Sequence, residues 1–133
     1  MKVLLINGSP HEKGCTYTAL SLIAKELNAG GIDTEILHVG GKPVGGCIGC
    51  GGCRKGEGCV FGGVVNEAIE KAKTADGFVF GSPVHYASAA GNMTSFMDRL
   101  AYAGGKYLAY KPAAICCSAR RAGTTTTLDQ LVK

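Results

Sequence analysis

Four cysteines stand close together in one glycine-rich segment, where their thiols could jointly hold a metal centre. They are Cys47, Cys50, Cys53 and Cys59, separated by two, two and five residues. This spacing is close to the compact ligand arrangement of iron–sulfur clusters. Zinc sites and disulfides also use short cysteine spacings, and buried or redox-active thiols need no metal. The residues therefore predict metal or thiol chemistry and leave the occupant open.

A second candidate site is the loop over residues 8–18, which follows the apolar run of residues 3–6. It offers backbone amides at a helix start, hydroxyl groups and the cation of Lys13, which together suit a phosphate. The loop is not a P-loop, because Cys15 stands where that motif has lysine, and it lacks the Gly-x-Gly-x-x-Gly fingerprint. An ordinary turn with a capping threonine is the alternative interpretation.

Two further loops carry polar or ring-bearing side chains. In residues 81–86 a proline restricts the backbone, and His85 and Tyr86 could flank a flat heterocycle. Residues 118–123 bring Arg120 and Arg121, whose guanidinium groups suit phosphates or an electron-rich ring. A surface turn and solvated loop charges are the corresponding alternatives.

Strands and helices that alternate along the chain must position these loops. Apolar runs predict strands over residues 3–6, 34–39, 77–81 and 112–117, while residues 40–63 hold eleven of the 21 glycines and fit no regular element. Gly30 and Gly31 end the first helix, and Asn92 is the predicted N-cap of the third. The predicted inward faces are Leu20, Ile23, Ala24 and Leu27; Val65, Ala68, Ile69 and Ala72; Met93, Phe96, Met97 and Leu100; and Leu128, Leu131 and Val132.

This alternation predicts an α/β fold in which right-handed crossovers build a doubly wound parallel sheet between two helix layers. Ligands of such sheets bind outside the carboxyl ends of the strands, where the three loops and the cysteine segment converge. A fifth strand would normally complete the sheet, so we expect that residues 1–133 are one domain of a C-terminally truncated protein.

Composition excludes several classes of protein. A chain of 133 residues with 46% apolar content can bury the core of one domain. The N-terminal apolar run is too short for a signal peptide, and no segment approaches the roughly 18 apolar residues of a membrane span. We therefore expect a cytoplasmic protein with reduced or metal-bound thiols. The net charge of +4 is scattered, which argues against nucleic acid and permits a phosphate-bearing ligand.

Together, four motifs resemble the NADPH-dependent FMN reductase family of flavodoxin-like proteins, including its iron–sulfur flavoprotein branch. The motifs are Gly8-Ser9-Pro10 with Thr16 and Thr18, the cysteine segment, residues 81–86, and residues 92–99. The resemblance implies a flavodoxin-like fold with FMN phosphate in the first loop and the flavin ring against the other two. The implied phosphate residues are Ser9, His11, Cys15, Thr16 and Thr18; the implied ribityl and ring residues are Pro83, Val84, His85 and Tyr86, with Ser118 and Gly123 closing the far side.

The chain departs from the family pattern at several positions. Members often have arginine in place of His11, asparagine in place of Cys15 and an aromatic residue in place of His85. An acidic pair often follows the cysteine segment, where this chain has Gly62 and Gly63. The departures at His11, Cys15 and His85 concern phosphate affinity and ring stacking.

Three functional hypotheses follow. The first is an oxidoreductase that takes a hydride from NAD(P)H through FMN and passes electrons to a small acceptor, with no catalytic side chain. The second is an electron carrier in which the four cysteines hold a [4Fe-4S] cluster that exchanges electrons with FMN and a redox protein. The third is a binding module whose four thiols hold structural zinc and which binds no flavin. The resemblance also implies a homo-oligomer, a dimer or tetramer.

Overall fold

Strands and helices alternate in the computed structural model, which describes residues 1–56 and 58–132. The strands are β1 (Lys2–Asn7), β2 (Asp33–His38), β3 (Gly77–His85), β4 (Ser88–Ala89) and β5 (Ala113–Ser118). The α-helices are α1 (Cys15–Ala29), α2 (Val64–Thr74), α3 (Gly91–Leu108) and α4 (Thr124–Val132), and a short 3-10 turn spans Gly52–Arg54.

Four parallel strands form the sheet in the order β2-β1-β3-β5. Leu5 of β1 lies opposite Ile36 on one side and Val79 on the other. The short strand β4 turns back antiparallel to the end of β3. Because the long strands run the same way, the loops after them lie at one edge of the sheet.

The two faces of the sheet are covered by different helices, as the apolar runs predict. Leu5 and Val79 pack with Leu20 and Ala24 of α1 on one face. Leu4, Ile6, Phe78 and Phe80 belong to the larger cluster on the other face, whose helical members are Val65, Ala68, Ile69, Ala72, Met93, Phe96, Leu100 and Leu131. Neighbouring strand residues point to opposite faces, so continuous apolar runs are needed here. The three-layer α/β/α prediction is confirmed.

Asn92 is not the N-cap of α3, which begins at Gly91 after Ala90 with no side-chain cap. Its amide instead donates to the carbonyl oxygens of Gly40 and Lys42, both at 3.0 Å, and accepts from Val44 N at 3.1 Å. The side chain is therefore used to hold the segment after β2.

Two predicted elements differ in extent. β3 does not end at Gly81 but continues to His85, because Ser82 and Pro83 pair with β5 and the next two residues pair with β4. In α4 the buried residues are Thr127 and Leu131, whereas Val132 is exposed and Leu128 is half-buried. Within residues 1–56 and 58–132, no helix is long and apolar enough to cross a membrane.

Candidate functional site

The loop between β1 and α1 is held from inside by Asn7, whose side chain is fully buried. Its Oδ1 accepts a hydrogen bond from Ser9 N at 3.1 Å, and its Nδ2 donates to the carbonyl oxygen of Glu12 at 3.0 Å. One amide thus ties both halves of the loop to the end of β1. Sequence reasoning did not single out Asn7, although a polar residue that ends a buried apolar run was a usable signal.

The same loop is held from outside by the end of β2. His38 Nε2 lies 2.8 Å from the carbonyl oxygen of Ser9, in a hydrogen bond whose direction depends on the tautomer. Gly40 approaches so closely that an added Cβ would lie 2.2 Å from that same oxygen. The loop therefore has a fixed conformation before any ligand is considered.

The predicted phosphate residues divide into two groups. Ser9 and Thr16 are buried, and Ser9 Oγ accepts a hydrogen bond from His11 N at 3.1 Å. His11, Cys15 and Thr18 are exposed, and the Thr18 hydroxyl donates to Gly14 O at 3.3 Å. No side chain of the described residues caps α1, so the first N–H groups of this helix remain directed at the loop. Amides at a helix N-terminus favour an anion.

The second loop is a β-hairpin, not an irregular turn. Pro83 and Val84 are half-buried, while His85 and Tyr86 are exposed. Tyr86 and Ala87 form its tip with φ values of 54° and 60°, a left-handed backbone conformation that residues other than glycine rarely adopt. Ser82, fully buried at the base, donates to Pro83 O at 2.9 Å and accepts from Ala90 N at 3.0 Å.

The third loop joins the other two. The hydroxyl oxygens of Thr16 and Ser118 lie 2.9 Å apart, which connects α1 to the end of β5. Gly123 has a φ of +90°, and an added Cβ would lie 2.7 Å from Ala87 Cα. The structure thus places the three loops side by side at the carboxyl edge of the sheet. Arg120 and Arg121 are exposed there.

The hairpin is also fastened to α4. Thr126 Oγ1 donates to Ala87 O at 2.8 Å. Gln130 Oε1 accepts from both Ser88 Oγ at 2.7 Å and Ala89 N at 2.9 Å. These contacts hold the strained tip in place.

The four clustered cysteines line one cavity of about 440 Å³, together with Phe61, Asp98, Arg99 and Tyr102 among others. Cys47 and Cys50 are exposed, whereas Cys53 and Cys59 are half-buried. In the part of the chain that the structure describes, no three or more His, Cys, Asp or Glu side chains are arranged to hold a metal ion. The segment also contains Glu57, which lies outside the described residues.

Two other cysteines lie in the sheet. Cys116 packs on the α1 side, with Leu5, Leu20 and Val79. Burial raises the pKa of the Cys116 thiol, to which the neighbouring Cys117 adds, and burial also raises the pKa of Cys117. Both are therefore neutral thiols at neutral pH.

This fold and loop arrangement define a flavodoxin-like α/β protein with a candidate ligand site at the carboxyl edge of its sheet. Residues 1–133 match the family model described as NADPH-dependent FMN reductase, and the chain belongs to that family of oxidoreductases.

Individual relatives agree with this assignment, and a solved structure shares the fold. The chain is 38% identical over 103 residues to an iron–sulfur flavoprotein of Methanocaldococcus jannaschii, covering 74% of this chain and 51% of the relative. An iron–sulfur flavoprotein of Archaeoglobus fulgidus is 34% identical over 99 residues, covering 74% and 48%. The chain thus spans about half the length of these curated relatives. The apo structure of an NADH:FMN oxidoreductase superposes with a TM-score of 0.70 at 22% identity, covering 99% of this chain and 65% of that one, which shows the fold.

Proposed function

We propose that the chain binds FMN at the carboxyl edge of its sheet and acts as an NAD(P)H-dependent oxidoreductase that passes electrons to a small acceptor. The observation that carries this proposal is the convergence of three loops, through the contact of Thr16 with Ser118 and of Gly123 with Ala87. Membership of the NADPH-dependent FMN reductase family supports FMN as the ligand.

The loop residues bind and orient in this proposal. The uncapped amides of α1 hold the phosphate, and the hydroxyls of Ser9 and Thr16, which bond to His11 N and to Ser118, keep the loop in place. The hairpin residues 83–86 border the ribityl chain and ring, and Ser118 and Gly123 close the opposite side. When bound, FMN supplies the hydride and electron chemistry.

A comparison of FMN with riboflavin tests the phosphate part of the site. The two ligands share the flavin ring and differ in the phosphate. Anaerobic titration should give at least about tenfold tighter binding of FMN, since an anion at uncapped helix amides gains charge-assisted hydrogen bonds. Addition of NAD(P)H should then reduce the bound FMN, which is measured as loss of its visible absorbance. Equal affinity for both flavins would contradict the phosphate assignment.

The ring wall is tested with two matched tyrosines. Tyr86 and Tyr110 are both fully exposed and both have positive φ, 54° and 63°, but Tyr110 follows α3 at the opposite edge of the sheet. Tyr86→Ala should weaken FMN binding by about 2–10-fold, the range of one aromatic contact. Tyr110→Ala should leave it unchanged. If the two variants bound FMN alike, Tyr86 would not be part of the site.

A second candidate function is an electron carrier with a [4Fe-4S] cluster on the cysteine segment. The shared cavity of Cys47, Cys50, Cys53 and Cys59 supports it, because four thiols are the donor set of such a cluster. Two curated relatives are named iron–sulfur flavoproteins. Iron, acid-labile sulfide and zinc should be measured on the same anaerobic sample as FMN. Zinc without flavin would favour the structural zinc module.

The remaining properties belong to the same proposal. We infer a redox partner or small acceptor that approaches the carboxyl edge, and a homo-oligomer. A cytoplasmic location is supported by the seven free cysteines. Size-exclusion chromatography with light scattering would determine the number of chains in the particle.

A further inference from the structure

Arg99 of α3 is a buried cation with an unusual set of partners. Arg99 is only 7% exposed, and a guanidinium group stays protonated in proteins. Among residues 1–56 and 58–132, no carboxylate forms an ion pair with it. A buried charge without a counter-ion is costly. Among the described residues, the hydrogen bonds of Arg99 go to two backbone carbonyls and one thiol, so its positive charge is available to an anion beside it.

All three donor groups of Arg99 point to the cysteine loop, defined here as residues 45–56 and 58–62. Nη1 donates to Gly45 O at 3.4 Å and Nη2 to Gly62 O at 2.9 Å, so one side chain fixes both ends of the loop to α3. Nε donates to Cys59 Sγ at 3.2 Å. The guanidinium also lies 5.6 Å from the centre of the Phe61 ring.

Cys59 is held at its backbone as well as at its sulfur. Asn66 of α2 accepts from Cys59 N at 2.8 Å and donates to Cys59 O at 3.0 Å. By contrast, Cys47 and Cys50 are exposed, and Gly49 and Gly51 on either side of Cys50 have positive φ. One thiol of the four is therefore preorganised, while two lie on a part of the loop with few fixed contacts.

We propose that Arg99 is the positioning residue of a thiolate centre on the cysteine loop. It fixes Cys59 in place as the first ligand, and it supplies the positive charge that a centre with several anionic sulfurs requires. The presence of a metal centre in this inference rests on the second candidate function. The positioning role rests on the hydrogen bonds of Arg99. The class of ligand is an iron–sulfur cluster.

The positioning role is tested on the metal-free, reduced chain by hydrogen exchange. Arg99→Gln removes both the charge and the guanidinium donors, whereas Arg99→Lys keeps only the charge. Arg54→Gln is the control, because it removes an exposed cation of the same loop. Arg99→Gln should raise amide exchange at Cys59 and Gly62, whose N–H groups are hydrogen-bonded, at least about tenfold, as expected for lost charged hydrogen bonds. Arg54→Gln should not. Unchanged exchange in Arg99→Gln would overturn the proposal.

The charge role is tested after anaerobic loading with ferrous iron and sulfide. Loss of a residue that orients a ligand typically weakens metal binding about 10–100-fold, so Arg99→Gln should release iron to EDTA at least about tenfold faster than wild type. It should also shift the reduction equilibrium toward the oxidised form. Arg99→Lys should restore the potential but not the full exchange protection. Equal potentials in Arg99→Gln and wild type would overturn the charge role.

The two proposals fail in different ways. If wild type takes up no iron, the carrier function fails, whatever the exchange result. If Arg99→Gln does not fold, judged by circular dichroism, Arg99→Lys decides the positioning role. A lysine has one ammonium group and cannot reach three separated acceptors at once. Faster loop exchange in that variant supports the proposal, and wild-type exchange overturns it.

Discussion

Replacement of Asn7 by alanine should destabilise the chain through its first loop. The change removes one acceptor and one donor, leaving Ser9 N and Glu12 O without the partners they have at 3.1 and 3.0 Å. An unsatisfied buried group costs about 1–3 kcal/mol, with the lower end for a group that water can reach. Since only the Ser9 bond is fully buried, we expect a loss of about 2–4 kcal/mol in the free energy of unfolding.

Urea unfolding measures this loss, with the midpoint lowered and the m-value unchanged. Asn28→Ala is the matched control. The amide of Asn28 accepts one exposed hydrogen bond from Thr34 Oγ1 at 3.0 Å, so its removal should cost no more than about 0.5 kcal/mol. Equal stability of the two variants would refute the role given to Asn7.

The same substitution should affect flavin binding selectively. Asn7 holds the loop that is proposed to bind phosphate: its side-chain hydrogen bonds go to Ser9 and Glu12 of that loop. We therefore expect Asn7→Ala to weaken the binding of FMN at least about tenfold more than the binding of riboflavin. A tenfold change corresponds to about 1.4 kcal/mol of binding free energy. An equal loss for both flavins would mean that the loop does not act through the phosphate.

Three further outcomes are expected. Ala87→Gly should stabilise the chain by about 0.5–1 kcal/mol, measured by urea unfolding, because φ is 60° there. Glu35→Gln should lower the free energy of unfolding by about 0.5–1 kcal/mol at neutral pH, because hydrogen bonds from Lys2 and Lys71 lower the pKa of this carboxyl. In the wild type this stabilisation is fully present above the unfolded pKa of about 4.3. It should be lost, as measured by urea unfolding, when the pH falls through the lower pKa of the folded state. Cys116, whose thiol pKa is raised by burial, should react with maleimide more slowly than exposed Cys47, as peptide mapping would show.

The layers of the fold could be predicted because their signals are local. The residues of β1 are apolar on both faces, which a strand covered on both sides requires, and α2 buries the four residues that its spacing indicates. Gly31, one of the two glycines predicted to end α1, has a φ of +77°. Each of these features depends on a few adjacent residues.

Residue roles that depend on distant partners could not be predicted. Asn92 has the residue type of an N-cap, but its amide binds residues 40–44, about fifty positions away in the sequence. Arg99 reaches Gly45 and Gly62 across 54 and 37 positions. The end of β3 contains Ser82 and Pro83, which suggest a loop, and it is a strand because these two residues pair with β5 and the next two pair with β4.

The polar side chains near the first loop show why residue type alone overstates a binding site. Ser9 Oγ is engaged by His11 N, and Thr16 Oγ1 by Ser118, so these hydroxyls already hold the loops together. The amides at the start of α1 have no such partner within the helix. A phosphate in this loop would therefore be bound chiefly by backbone, with Ser9 and Thr16 keeping that backbone in place. A backbone site of this kind tolerates His11 and Cys15 where other family members carry different side chains, because the donors do not depend on residue type.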